Sequence, residues 1–304
     1  MHHRPRLRLT GCWLGLVLGL LIAPAQAQHS SVPDTAAVAQ TVVVDYSVTL
    51  QNRTPEEAQQ MALNRARAEA VRKVVGTQVQ AERSSATIET DDGVQSRYAQ
   101  IVRTGAGGRV VAQRLLEDGI DTRPEPDVYR VRLEATVQPD VGRPDPGFGA
   151  SLDLTDDDRV FVARSPRTRS DELIASIRVT KNAHLTLFSI TRDTIQVLWP
   201  NAFMKDTFVP AQTKVEFPSA TWRERGVHLR ADVPSGRERI TERLLLVATK
   251  SRVPFEPVPA AEVQDGTLTT VDASLLALNR WLVNIPLDQR ATATVTYDVR
   301  RERP

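Results

Sequence analysis

The sequence is short of almost everything that announces chemistry. One of its 304 residues is cysteine, Cys12, and it sits in a segment with the marks of a removable leader. Arg4, Arg6 and Arg8 come first, then an apolar run from Trp13 to Ala23, then Pro24-Ala25-Gln26-Ala27 with alanines at A-x-A spacing. That order predicts a secretory signal peptide over residues 1–27, cleaved after Ala27 to leave Gln28 first. The run is too short to span a bilayer, which takes about 20 residues. Leu9-Thr10-Gly11-Cys12 echoes a lipidation box but precedes the apolar run instead of following it. Acylation there would retain the whole greasy segment, so no lipid is expected. The predicted mature chain has no thiol, which excludes disulfides, thiol nucleophiles and cysteine-ligated zinc or iron–sulfur centres.

An excess of charge is lacking too. Cleavage would turn 39 basic against 37 acidic residues into 36 against 37, because three arginines and no acid leave with the leader. A nucleic-acid partner would call for a clear basic excess, so none is expected. No later apolar run is long enough for an integral membrane segment. Histidines are scarce: His29, His184 and His228 remain after processing, each isolated, without the tight His/Asp/Glu spacing of metal sites. No Gly-x-Ser-x-Gly presents a serine nucleophile. Thr104-Gly105-Ala106-Gly107-Gly108 lacks the Gly-Lys-Ser/Thr ending of a phosphate loop. It follows a predicted helix and precedes a predicted strand, the reverse of the dinucleotide-binding order, so it reads as a helix terminator. Asp156-Asp157-Asp158 lacks the alternate acids and glycine of a calcium loop and reads as a solvated turn. Asn52-Arg53-Thr54 matches a glycosylation sequon, but Thr54 is better used as a helix cap. No catalytic residue, cofactor-binding residue or metal ligand is nominated. Paired carboxylates set by the fold stay open, with no pair singled out.

What is present is organisation. After a polar lead over 28–40, "TVVVDYSVTL" (41–50) is β-branched and apolar, a strand. Thr54-Pro55-Glu56-Glu57 then offers an N-cap, a proline at the first helical position and a glutamate three residues after the cap. Ala58, Ala62, Ala66, Ala70 and Val74 recur every four residues up to Gly76, with Arg72 and Lys73 in the last turn. A helix with an alanine stripe can lie close to a sheet. Residues 77–89 predict a strand, 94–102 a second helix, and 109–118 and 129–138 an antiparallel pair. "PDVGRPDPGFG" (139–149) is a linker or stiff junction. Over 150–256 short apolar stretches recur at 172–180, 184–190, 194–199, 213–217, 226–231 and 243–249, the spacing of a β-sandwich-like domain. Within it "LFSITRDTIQVLWPN" (187–201) reads as a hairpin in which Ile195, Val197 and Trp199 alternate with Gln196 and Leu198. Pro200 stops the ladder, and Asn201 caps the following turn with its side chain. Residues 257–304 add an amphipathic helix (271–285) with Asp272 as N-cap and Leu275, Leu278, Trp281, Leu282 and Ile285 on one face. A strand (291–299) follows, and both are expected to pack on the β domain. The fold class is α+β: a small α/β module, then an all-β sandwich-like domain with a C-terminal helix and strand.

Two resemblances attach to these segments. The order β-α-β-α-β-β over 41–138, carried by "AQQMALNRARAEAVRKVVGTQV", the glycines after the second helix and "YRVRLEATV", resembles the N-terminal domain of flagellar assembly protein T and the LPP20-type lipoproteins. The lipid-anchoring cysteine of the lipoprotein members is absent here. "LWPN" (198–201), "PSGRE" (234–238) and "RLLLVATK" (243–250), in that order, resemble a widespread bacterial β-rich domain of unknown function. In that family the hairpin turn is often Asp-Gly, where this chain has Arg192-Asp193-Thr194. The resemblances imply an envelope-facing protein and no activity.

The functional expectation is therefore an exported, non-catalytic envelope protein that binds or scaffolds another envelope protein or macromolecule. Its expected location is periplasmic, outer-membrane-associated or extracellular, and the flagellar resemblance suggests appendage or basal-body assembly. The alternative is a secreted hydrolase or ligand-sensing protein with a site assembled between the domains. Aromatics make up only 5% of the chain, yet several fall together after the hairpin. Trp199, Asn201, Phe203, Phe208 and Trp222 are accordingly the candidate binding-surface residues, the competing reading being that Trp199 and Trp222 are buried plugs of the β domain.

Overall fold

A computed structural model describes residues 38–75, 107–123, 125–155, 159–164, 170–191, 194–257 and 270–302. The expected leader, the lead up to residue 37, the strand at 77–89, the helix at 94–102, His29 and the Asp156–Asp158 triplet lie outside the described residues. Among those described, the fold is α+β and mostly strands in open sheets.

The first module contains β1 (Gln40–Thr49), α1 (Pro55–Val75), β2 (Gly108–Asp121) and β3 (Val128–Pro139). The strands form an antiparallel sheet in the order β1-β3-β2. The reciprocal cap forms as its residue types require: the Thr54 N–H donates to Glu57 Oε2 at 3.0 Å, and the Glu57 N–H donates to Thr54 Oγ1 at 3.2 Å. The stripe Ala58, Ala62, Ala66 and Ala70 is fully buried against Val44, Val48, Val131, Leu133 and Ala135. Small side chains let the helix settle close to the strands. The same closeness explains the glycines at the start of β2: a Cβ on Gly108 would sit 2.6 Å from Val75. Gly107 has φ +94°, where a side chain is strained. The outer face of this sheet is charged. Arg114 pairs with Glu134 at 3.1 Å, and Arg132 lies between Asp45 and Glu117 at 3.7 and 3.4 Å. These pairs are exposed and add little stability.

The second part is a sandwich. Its smaller sheet has the order β10-β6-β4, from β4 (Ala150–Leu154), β6 (Ala175–Val179) and β10 (Lys214–Phe217). Its larger sheet runs β5-β12-β11-β7-β8, from β5 (Val160–Ala163), β7 (Ala183–Ile190), β8 (Ile195–Trp199), β11 (Arg239–Thr249) and β12 (Arg290–Arg301). β9 (Phe208–Val209) extends the β8 edge by pairing with Ala183 and His184 of β7. Leu152, Ile177, Leu185, Leu187, Leu244, Leu246 and Val295 fill the space between the sheets. β7 is apolar at consecutive positions because both of its faces are covered. Leu185 and Leu187 face the smaller sheet, while Phe188 and Ile190 pack under α3 (Thr270–Val283).

Several expectations need correction. No strand forms over 226–231; only an isolated bridge joins Arg230 to Glu172. β12 does not pack on a finished sandwich. It lies inside the larger sheet, between β11 and β5. α3 begins at Thr270, so Asp272 lies within its first turn instead of before it. The helix also has two working faces rather than one. Leu275, Leu278 and Leu282 cover the larger sheet, whereas Leu276 joins the core of the first module. Next to it, Asn279 Nδ2 donates to the Val110 carbonyl at 3.1 Å and Arg280 Nε donates to the Val111 carbonyl at 2.6 Å. A register shift in β2 between Val110 and Ala112 makes Val111 the bulged residue, so its carbonyl is free of the ladder and available to the arginine.

Candidate functional site

Trp199 leaves the set of surface residues for a local reason. The β7–β8 register shifts between Leu187 and Phe188, so that Leu198 and Trp199 both oppose Leu187. Ile195 and Val197 face the α3 side, and regular alternation would send Trp199 there too. The bulge turns it to the opposite face, into the core between the sheets, where it is 4% exposed. Its ring stacks on Phe217 with centroids 6.0 Å apart, and its indole N–H donates to the Asp206 carbonyl at 2.9 Å.

Asn201 is spent on the turn, as its residue type predicts. Oδ1 accepts the N–H groups of Phe203 and Met204 at 2.9 and 2.8 Å, and Nδ2 donates to the Leu198 carbonyl at 2.7 Å. At the far end of the loop, Asp206 Oδ1 accepts the Phe208 N–H at 3.0 Å while its carbonyl holds Trp199. The 201–208 loop is therefore fastened at both ends by side chains that address its own backbone.

What this loop presents is apolar. Phe203 is 62% exposed and Phe208 is 46% exposed, the two exposed phenylalanines among the described residues. Phe203 rests against Trp222, ring centroids 6.0 Å apart. The Arg225 guanidinium lies 5.1 Å over the Trp222 ring, within cation–π range. Trp222 belongs to α2 (Ala220–Glu224), a single turn held by Arg223, which bonds the Pro218 carbonyl at 2.8 Å and Glu216 at 3.2 Å. Phe208 leans on His184, whose Nδ1 is 3.1 Å from Thr207 Oγ1. The structure thus joins Phe203 to Trp222, places Phe208 beside His184, and buries Trp199. Arg225 and His184 were not foreseen as part of the surface; an arginine three residues after a tryptophan was the available signal for the first.

Two other places carry titratable pairs. His228 Nδ1 lies 2.8 Å from Glu172 Oε1, with both side chains partly exposed. The Tyr297 hydroxyl donates to Glu242 Oε2 at 2.7 Å across the β11–β12 pair. Burial pushes the Glu242 carboxyl above its usual range and the Tyr297 phenol well above its own. Among the described residues no three His, Cys, Asp or Glu side chains gather as a metal set, and no helix is long and apolar enough to cross a membrane.

Comparison with known proteins bears on this part of the chain. Residues 168–252 match the family described as a domain of unknown function, DUF4384. The matched domain spans β6 to β11 and includes the whole aromatic loop. Its sheets are completed from outside the matched segment, by β4 on one side and by β5 and β12 on the other. No family match supports the flagellar or lipoprotein resemblance of residues 41–138. No curated protein matches the chain.

Proposed function

We propose that this is an exported, non-catalytic envelope protein, and that its DUF4384 domain binds another envelope macromolecule through the 201–208 loop and the adjoining Trp222. The observation that carries this reading is the fastened loop. Two phenylalanines are held in water on a backbone fixed at both ends by Asn201 and Asp206. A mobile loop would lose conformational freedom on binding, at about 0.5–1.5 kcal/mol per ordered side chain; an ordered one has already met that cost. Exposed aromatics beside an arginine are the residue types that dominate binding surfaces. The leader pattern over 1–27 supports export to the periplasm, the outer membrane or beyond. The flagellar-type resemblance of 41–138 supports a narrower version of the reading, a part in building a surface appendage. A hydrolase or ligand-sensing protein with a site between the two parts is the second reading, favoured by a cavity of about 350 Å³ lined by Arg109, Phe148, Leu282 and Arg290.

The test combines location, binding and turnover. Cell fractionation followed by chemical crosslinking should give a discrete envelope adduct that is lost in the Phe203→Ala/Trp222→Ala double variant. A purified protein that cleaves a peptide, ester or glycan substrate, and that gives the same adducts with and without the two aromatics, would replace the binding reading with the enzymatic one.

A further inference from the structure

The first sheet has two edge strands, β1 and β2, and they are not alike. β2 breaks its register with β3 at two places, and α3 covers its start, where Asn279 and Arg280 hold the carbonyls of Val110 and Val111. Bulges and a covering helix are devices by which proteins close a sheet edge. β1 has neither bulge nor proline and pairs with β3 along all 10 of its residues without a shift. Two hydrogen bonds show which way its backbone points. The Leu50 N–H, at an even position just past the strand, donates to the Asp127 carbonyl on the β3 side at 2.8 Å. The Val43 carbonyl, at an odd position, instead accepts Lys73 Nζ at 3.2 Å. Backbone groups alternate in direction along a strand, so Val42, Val44, Tyr46 and Val48 address β3, while Thr41, Val43, Asp45 and Ser47 turn their N–H and C=O groups to the free edge. Among the described residues no hydrogen bond but that of Lys73 reaches this row. Val44 and Val48 are buried under α1 with Val42 and Tyr46 beside them, and the odd-numbered side chains are exposed on the opposite face. Val43 is 40% exposed, and Val38, just ahead of the strand, is 71% exposed.

We propose that β1 is a self-pairing edge: two copies of this chain join along it, antiparallel, about a two-fold axis at Val44. The sequence complements itself in that register. With Val44 opposite Val44 of the second copy, Val43 faces Asp45 and Thr41 faces Ser47, and each such pair exchanges two hydrogen bonds. On the helix side Val42 faces Tyr46, an aromatic–β-branched pair that favours a sheet, and Val38 falls opposite Leu50. Other axes fit less well. At Asp45 the two Asp45 carboxylates would stand directly opposite each other. At Val43, Ser47 would have no strand residue across from it. At Tyr46, the Arg65 guanidiniums, each 5.9 Å over its own Tyr46 ring, would be brought together. The axis at Val44 stands perpendicular to the sheet, so both copies of α1 lie on one face, and the interface is the same patch on each copy. Lys73, exposed near the end of α1, gives up one hydrogen bond to the strand that replaces it. This edge belongs to the first module and does not depend on the reading of the aromatic loop.

The test is sedimentation of the full mature protein from low micromolar to submillimolar concentration, where the mass should rise from monomer to dimer. Val43→Asp sets a carboxylate against Asp45 of the second copy at both symmetric places and should weaken the dimer about tenfold or more. Val43→Lys puts an ammonium opposite the same Asp45 and should retain it. Position 43 is exposed, and circular dichroism checks that both variants are folded. Disulfides read the register. The chain from Gln28 onward holds no cysteine, so Thr41→Cys/Ser47→Cys introduces the only thiols. These two positions lie about 20 Å apart along one strand and cannot bridge within a copy. Across the pairing they lie about 5.5 Å apart at Cα, within disulfide reach. Oxidation should give a dimer that survives denaturant and is lost on reduction, and Thr41→Cys/Asp45→Cys should not. A monomer at every concentration would overturn the proposal. A dimer that tolerates Val43→Asp as well as Val43→Lys would do the same, and so would equal oxidation through positions 41 and 45.

Discussion

Trp199 and Phe203 stand four positions apart in one loop region, and the structure assigns them opposite consequences. Trp199→Ala removes a ring that is 4% exposed, empties its place between the sheets and strips the Asp206 carbonyl of its indole donor. Large-to-small changes of this kind cost about 3–5 kcal/mol. At about 2–4 °C per kcal/mol, Tm should fall by about 6–20 °C. Trp199→Phe keeps most of the stack on Phe217 and loses mainly the hydrogen bond, so about 1 kcal/mol is expected. Phe203→Ala removes a ring that is 62% exposed and should change stability by no more than about 0.5 kcal/mol. Urea denaturation of the three variants, followed by circular dichroism, measures all three values on one scale. A Trp199→Ala cost below about 1 kcal/mol would refute the bulge that turns this ring inward. A Phe203→Ala cost above about 2 kcal/mol would show that Phe203 serves the core and not a surface.

Three further outcomes follow from the same geometry. Asp140→Ala leaves two buried guanidiniums without their carboxylate and should cost about 3–5 kcal/mol by denaturant titration; Arg239→Ala, which breaks an exposed pair with Asp298, should cost no more than about 1 kcal/mol. Thr54→Ala removes one half of the reciprocal cap on α1 and should cost about 1 kcal/mol, read as a shift in urea midpoint. Hydrogen bonds from Lys181, Lys250 and Gly147 hold the Asp145 carboxyl far below its ordinary 3.8. Its stabilising contribution is therefore present above that value and lost as pH falls, so the midpoint difference between the unaltered protein and Asp145→Asn should be larger at about pH 7 than at about pH 3.

Local chemistry made part of this legible without coordinates. The α1 cap, its alanine stripe, the β7–β8 hairpin and the Asn201 turn each depend on residues within a few positions of one another. The family resemblance at "LWPN", "PSGRE" and "RLLLVATK" was likewise readable, and it falls in or beside the segment that matches DUF4384. What could not be read was set by partners distant in sequence. β4 and β5 are short, and each is defined by the strand it meets; β5 runs parallel to β12 near the other end of the chain. The apolar alternation along β8 gave the face of Ile195 and Val197, but the extra residue at Leu198 reversed it for Trp199. The Arg109–Asp140–Arg290 cluster draws on three separate segments, and no spacing announces it. Leu276, Asn279 and Arg280 interrupt the simple amphipathic pattern of α3 because the helix touches two cores at once.

The central claim is that the fastened aromatic loop is a contact surface. Site-specific photocrosslinking tests it most directly. A benzophenone amino acid replaces Phe203 in one variant and Phe208 in a second. In a third, used as control, it replaces Ile120, an exposed apolar residue of the first module. Irradiation of cells expressing each variant, then mass spectrometry of the adducts, reads the outcome. The claim predicts one common envelope partner captured from positions 203 and 208 and not from 120. Equal capture from all three positions, or none from 203 and 208, would contradict it.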